Sequence, residues 1–251
     1  MRRPSVISGR RQLPEIRARL FDRERDPRSL IENLLSEKQQ QDFQGIATVL
    51  EYRRGGSTIF AEGEDAHFVY SIASGVVRVS RLSAGGRRQV LALMLPGDLF
   101  GLPDAGIYVN SAETACPSTL YRVPWLKLRS LMMREPELQL NLLNRVAYDL
   151  REAQRRIVVL GQQNTYQRLA TLLLDFAAHP AFFDAARALL TLPLSRFDIA
   201  DYLGTASETV TRGFGRLERE GIIRRLGSRM IELVDPAALR ALQVEKRRRD
   251  R

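Results

Sequence analysis

An α+β fold is predicted, in which a β jelly roll is followed by a long helix and a winged helix-turn-helix. Three observations predict it. Glycine-punctuated alternating stretches run from Tyr52 to Val123, a heptad seam runs from Leu143 to Leu160, and a capped helix–glycine–helix pattern from Ser195 precedes a hairpin signature. A chain of 251 residues suffices for one large domain or two ordinary ones. The division read here is a disordered basic tail over 1–28, a β-barrel domain over 29–135, a dimerisation helix over 136–161, a winged helix-turn-helix domain over 162–240 and a basic tail over 241–251.

Composition bounds the function classes. No apolar run approaches the roughly 18–20 residues of a membrane span, and Met1-Arg2-Arg3-Pro4 is followed by no apolar signal segment. A cytoplasmic chain with no membrane partner is expected. The single cysteine, Cys116, excludes an internal disulfide framework and cannot by itself hold an iron–sulfur cluster or a thiolate zinc site. The net charge of +10 sits mostly at the ends: residues 1–28 hold nine Arg against four acids, and residues 240–251 hold six Lys or Arg against two. Such runs are commonly solvated tails that strengthen attraction to phosphates, so net charge alone does not establish a nucleic-acid partner.

Each element has its own signature. Weak helical spacing follows the tail at Leu30, Ile31, Leu34 and Leu35. In the barrel, Val77 and Val79 alternate with Arg78 and Ser80, and Val90 to Leu95 is nearly continuous and apolar. Cys116 falls in an alternating segment, Thr114 to Val123, read as a strand with a small core thiol. Helix begins near Pro136, a residue suited to a first turn. Leu143, Val146, Leu150, Ala153, Ile157 and Leu160 then recur at alternating spacings of three and four, flanked by Arg151, Glu152, Arg155 and Arg156. That seam fits a second copy of the chain; the alternative is a helix lying on its own barrel. Gly161 is expected to end the helix and Asn164 to cap the next, which carries Leu169, Ala170, Leu172, Leu173 and Phe176. An apolar, Ala-rich stretch leads on to Pro193.

From Ser195 the pattern turns to chemistry. Ser195 is a helix cap, Asp198 suits the first turn, and Ile199, Ala200 and Leu203 form the buried stripe. Gly204 supplies the tight turn. The second helix, about 206–220, buries Val210, Phe214 and Leu217 and presents Ser207, Glu208, Thr211 and Arg212 from its first turns, where such a helix enters the major groove of double-stranded DNA. Arg212 offers a planar fork matched to guanine O6 and N7, and Glu208 accepts from a cytosine amino group. Local alternatives stay open: Thr205 with Glu208 satisfies a capping box, and Arg212 stands four residues from Glu208. Gly213 and Gly215 each cost a helix about 1 kcal/mol relative to Ala, and two explanations stay open: they permit close packing, or they leave the head loosely ordered. Residues 222–233 flank Gly227-Ser228 as a hairpin, the wing, whose Arg224, Arg225 and Arg229 join Arg196 as candidate phosphate contacts.

These residues carry a resemblance. The run LPLSRFDIADYLG from Leu192 to Gly204, ETVTR from Glu208 to Arg212 and LEREGII from Leu217 to Ile223 resemble the Crp/Fnr family, in its Fnr/FixK branch. The stretches Gly56 to Gly63, Gly75 to Arg78, Gly86 to Arg88 and Gly97 to Gly101 are similar to that family's cyclic-nucleotide-binding-like sensor fold. The resemblance implies a homodimer about the long helix that reads a palindrome, with RNA polymerase as a further partner. It implies base contacts from Glu208 and Arg212, with Thr211 where Ser is usual and Ser207 where the cyclic-AMP receptor branch has a basic residue. TTGAT and ATCAA half-sites follow.

No cofactor is expected. Cyclic-nucleotide binders of the family place Gly-Glu and then Arg-Ser or Arg-Thr around the phosphate. Here Leu102 follows Gly101, Asn110 precedes Ser111, and Glu113 adds a carboxylate. Haem has only His67 and His179 to bind, and two distant histidines offer no metal-enzyme cluster, so no enzyme is predicted. A regulator without small-molecule effector remains, the alternative being one gated by an unidentified small molecule or haem in the barrel.

Overall fold

The computed structural model describes residues 45–83, 85–86 and 88–244, with the backbone of Ser5–Val6. The helical spacing at Leu30 to Leu35 and most of both tails lie outside the described residues. The chain divides into two compact units between Leu150 and Arg151. No helix among the described residues is long and apolar enough to cross a membrane.

The first unit is built from two antiparallel sheets. One takes the order β1-β2-β9-β4-β7, from Ser5–Val6 (β1), Thr48–Tyr52 (β2), Phe68–Ser74 (β4), Leu99–Phe100 (β7) and Ser118–Pro124 (β9). The other takes the order β3-β8-β5-β6, from Thr58–Phe60 (β3), Val77–Leu82 (β5), Arg88–Met94 (β6) and Ser111–Thr114 (β8). Alternation along the strands sorts their side chains into two cores. Leu50, Tyr70 and Leu120 join Phe60, Val77 and Ala112 in a core shared by both sheets. Their neighbours Val49, Val69, Tyr121 and Val123 pack instead with Leu128, Met132 and Leu138 of the helices. Those helices are Trp125–Arg134 (α1) and Pro136–Gln162 (α2).

The second unit contains Thr165–Ala177 (α3), Arg196–Leu203 (α4), Ser207–Arg219 (α5), Pro236–Val244 (α6) and a sheet of order β10-β11-β13-β12. Its strands are Phe183–Asp184 (β10), Leu189–Thr191 (β11), Ile223–Arg225 (β12) and Met230–Leu233 (β13). The α3 helix packs against α4, α5 and α6, burying Leu169, Leu172, Leu173 and Phe176 with Ile199, Val210, Phe214 and Leu239.

The structure corrects several sequence expectations. Gly161 does not end the long helix, which runs on to Gln162, because Asn164 caps the next helix and fixes the break just beyond. Thr114 to Val123 is not one strand: β8 stops at Thr114, and Cys116 is buried in the turn before β9. The Ala-rich stretch after α3 contains the hairpin β10–β11, which widens the wing sheet. Ser5–Val6, within the expected disordered tail, pairs with β2, and residues 241–244 belong to α6 rather than to a tail.

Candidate nucleic-acid interface

Reciprocal caps set the helix-turn-helix. Ser195 Oγ accepts the Asp198 N–H at 3.0 Å and donates to Asp198 Oδ2 at 2.6 Å, and that carboxylate also accepts the Ser195 N–H at 3.3 Å. Gly204 then closes α4 in the left-handed region at φ 66°, which a side chain would strain. Arginines from outside α4 hold its last carbonyls. Arg168 donates to Leu203 O at 2.8 Å, while also bonding Leu160 O at 2.7 Å and Gln163 O at 3.0 Å. Arg156 donates to Tyr202 O and lies 3.5 Å over the Tyr202 ring. Arg168 was not singled out from the sequence, and Arg156 only as a charge flanking the heptad seam, because each acts through backbone carbonyls that leave no residue-type signature.

The α5 helix buries Val210, Phe214 and Leu217 and leaves Glu208, Thr211 and Arg212 exposed, with Ser207 half-buried. Ala206 is its N-cap and makes no side-chain cap bond, so the Thr205–Glu208 capping box does not form. Glu208 accepts from Ser207 Oγ at 3.1 Å, and Arg212 Nη2 donates to Thr209 Oγ1 at 3.2 Å. Among the described residues, Glu208 and Arg212 make no ion pair with each other, and both head groups are open to a partner.

Of the four candidate phosphate contacts, Arg229 is exposed and has no ion pair among the described residues. The other three are engaged. Arg224 pairs with Glu232 at 3.1 Å, and Arg225 pairs with Glu218 of α5, donating from Nε at 2.7 Å and from its backbone N–H at 3.0 Å. The hydrogen bonds from Arg225 hold the Glu218 carboxyl below its ordinary pKa. Arg196 lies 3.7 Å over the Phe214 ring. The wing is thereby fastened to α5.

The two glycines of α5 separate on geometry. A Cβ on Gly213 meets Leu169 Cδ2 of α3 at 3.0 Å, whereas one on Gly215 meets nothing within 4 Å among the described residues. Close packing explains Gly213 and leaves Gly215 unexplained. Gly215→Ala is expected to raise stability in a denaturant melt by about 1 kcal/mol. Gly213→Ala is expected to give none of that gain, since Leu169 must move; equal gains would show that this contact yields freely.

Inside the barrel, Phe60 stacks on Tyr108 at 3.8 Å, with Tyr70 at 5.6 Å and Phe100 at 6.0 Å from Phe60. Glu113, taken from the sequence as a carboxylate that repels phosphate, is not a free charge. It accepts from Arg78 Nε at 3.0 Å and Nη2 at 2.9 Å and from Arg88 Nη1 at 3.3 Å. His67 is exposed, whereas His179, in the other unit, is buried and accepts the Ala181 N–H on Nδ1 at 3.1 Å.

A two-sheet barrel, a long helix and a capped helix-turn-helix with its wing define a transcription regulator of two functional parts. Residues 50–135 match the model of the cyclic nucleotide-binding domain, and residues 167–242 match that of the Crp-like helix-turn-helix domain. The nitrogen fixation regulation protein FixK of Azorhizobium caulinodans is 38% identical over 187 residues, 74% of this chain and 75% of that protein. FixK of Bradyrhizobium diazoefficiens is 34% identical over 188 residues, 74% of this chain and 78% of that protein. The solved structure of FixK2 from Bradyrhizobium japonicum superposes with a TM-score of 0.73 at 34% identity, covering 78% of this chain and 97% of that one. The chain belongs to the Crp/Fnr family of transcription regulators, in its FixK-like branch.

Proposed function

We propose that the chain acts in the cytoplasm as a homodimer that binds a palindromic TTGAT/ATCAA-like site and engages RNA polymerase, with no cyclic nucleotide, iron–sulfur cluster or enzymatic activity. One observation carries the reading. Glu208, Thr211 and Arg212 stand exposed on the first turns of α5 with their head groups uncommitted to each other. The exposed stripe Leu143, Val146, Leu150, Ala153 and Ile157, continued by the half-buried Leu160, supports pairing through α2. The aromatic filling of the barrel supports independence from a nucleotide. Fluorescence anisotropy on a palindromic duplex, with about four base pairs between half-sites and no ligand added, tests the reading. Tight binding lost on a scrambled duplex is expected; equal affinity for both sinks it.

A second reading, gating by a small anionic molecule, draws on Arg122. Among the described residues its Nε is buried without a hydrogen-bond partner, while its guanidinium lies 4.4 Å over the Phe68 ring. Operator affinity measured with and without cell extract separates the two readings. A gain with extract that Arg122→Leu abolishes favours the second.

The Arg225–Glu218 pair makes a separate prediction. Glu218→Gln releases Arg225 and removes a carboxylate from the DNA side. Affinity for all sequences is expected to rise, with a salt dependence steeper by about one counterion. An unchanged slope in a salt titration assigns Arg225 to wing anchoring alone.

A further inference from the structure

We infer that the ion pair between Asp98 and Arg145 sets the rotational phase of α2 and so decides which stripe the helix offers to a second subunit; the inference rests on the homodimer reading above. Arg145 is only 8% exposed, which is rare for a permanently charged side chain. Its Nη2 donates to Asp98 Oδ1 at 3.1 Å, and it also pairs with Asp149, one turn further along, at 2.8 Å. Asp98 is a rigid acceptor. Its Oδ2 takes the Leu95 N–H at 2.7 Å, and its turn is held to β4 by Gly97 N–H to Ile72 O at 2.8 Å and Ile72 N–H to Asp98 O at 3.1 Å. Two residues on, Phe100 stacks on Tyr70 at 5.5 Å, which roots the turn in the barrel core.

Around a helix of about 3.6 residues per turn, Leu143, Val146 and Leu150 stand roughly a quarter to two-fifths of a turn from the face carrying Leu138 and Arg145. The barrel-facing residues are buried, and Leu143, Val146 and Leu150 are exposed. Apolar contact through Leu138 and Leu142 is non-directional and leaves the helix free to roll. A guanidinium–carboxylate hydrogen bond is directional and does not. The phase of the seam is therefore written into the chain itself. The sequence held only a faint trace of this, the Arg145/Asp149 spacing; Asp98 lies 47 positions away from Arg145.

Sedimentation equilibrium on the full chain tests the inference, with unfolding midpoints as the folding control. Asp98→Asn keeps an acceptor for the Leu95 N–H but loses the charge that holds Arg145. Asp98→Asn and Arg145→Met are each expected to weaken self-association about tenfold or more, with the double variant no weaker than either, because one shared interaction is lost. Arg145→Lys, which keeps the charge, is expected to retain most of the association; a purely structural role predicts no such rescue. Should Asp98→Asn fail to fold, Arg145→Met, which leaves the turn at Asp98 intact, carries the test alone. Folded variants that associate like the unmodified chain overturn the phase-setting role alone. An unmodified chain that sediments as a monomer overturns the homodimer reading and this inference together.

Discussion

Exchanging Leu150 for lysine is expected to leave the chain folded and monomeric. Leu150 is 59% exposed in the single chain, as are Leu143 at 63% and Ile157 at 70%, so no intramolecular contact of consequence is lost. A soluble chain gains little from presenting such residues along one helix unless a partner covers them. In a two-fold dimer each seam residue lies near its counterpart, so two ammonium groups are driven together out of water. Removing that charge from solvent without a counter-ion costs several kcal/mol, enough to dissociate an ordinary dimer. Far-UV circular dichroism should be unchanged while sedimentation velocity reports the monomer mass. Operator affinity should fall with it, by a factor on the order of 10² to 10⁴, because each half-site is then held without the other. A dimeric mass for the lysine variant places the interface elsewhere.

What the sequence disclosed followed how local the signal was. Both reciprocal caps, Asn164 with Gln167 and Ser195 with Asp198, join residues three positions apart; Asn164, Ser195 and the first-turn Asp198 were legible before the fold, whereas Gln167 was not. The buried stripe of α5 was legible for the same reason, since Val210, Phe214 and Leu217 recur within one helix. The barrel announced itself as a texture of alternation and glycines, but not its register, which places Arg78 opposite Glu113 across 35 positions. The β10–β11 hairpin was missed because Ala181, Ala185, Ala186 and Ala188 resemble helix, while β11 exists through pairing with distant β13 and β10 through pairing with β11. Exposure was equally unreadable for the wing: three arginines suggested free cations, and the fold engages Arg224 and Arg225 with acids on other elements.

Arg212→Ala is expected to remove the preference for the guanine of each TTGAT half-site while barely altering affinity for scrambled DNA. The fold does not depend on this side chain. It is exposed, and its one hydrogen bond among the described residues, to Thr209, is a surface contact at 3.2 Å. A bidentate arginine–guanine contact contributes about 1–3 kcal/mol of discrimination, and roughly 1.4 kcal/mol is a tenfold change in affinity. Two half-sites in a dimer double the effect on the intact palindrome. The decisive quantity is therefore a ratio: affinity for the palindrome over affinity for the same duplex with both guanines replaced, in unmodified and variant protein. Loss confined to the intact palindrome means that Arg212 reads a base edge. Equal losses on both duplexes mean that it meets a phosphate, and base reading then falls to Glu208 and Thr211.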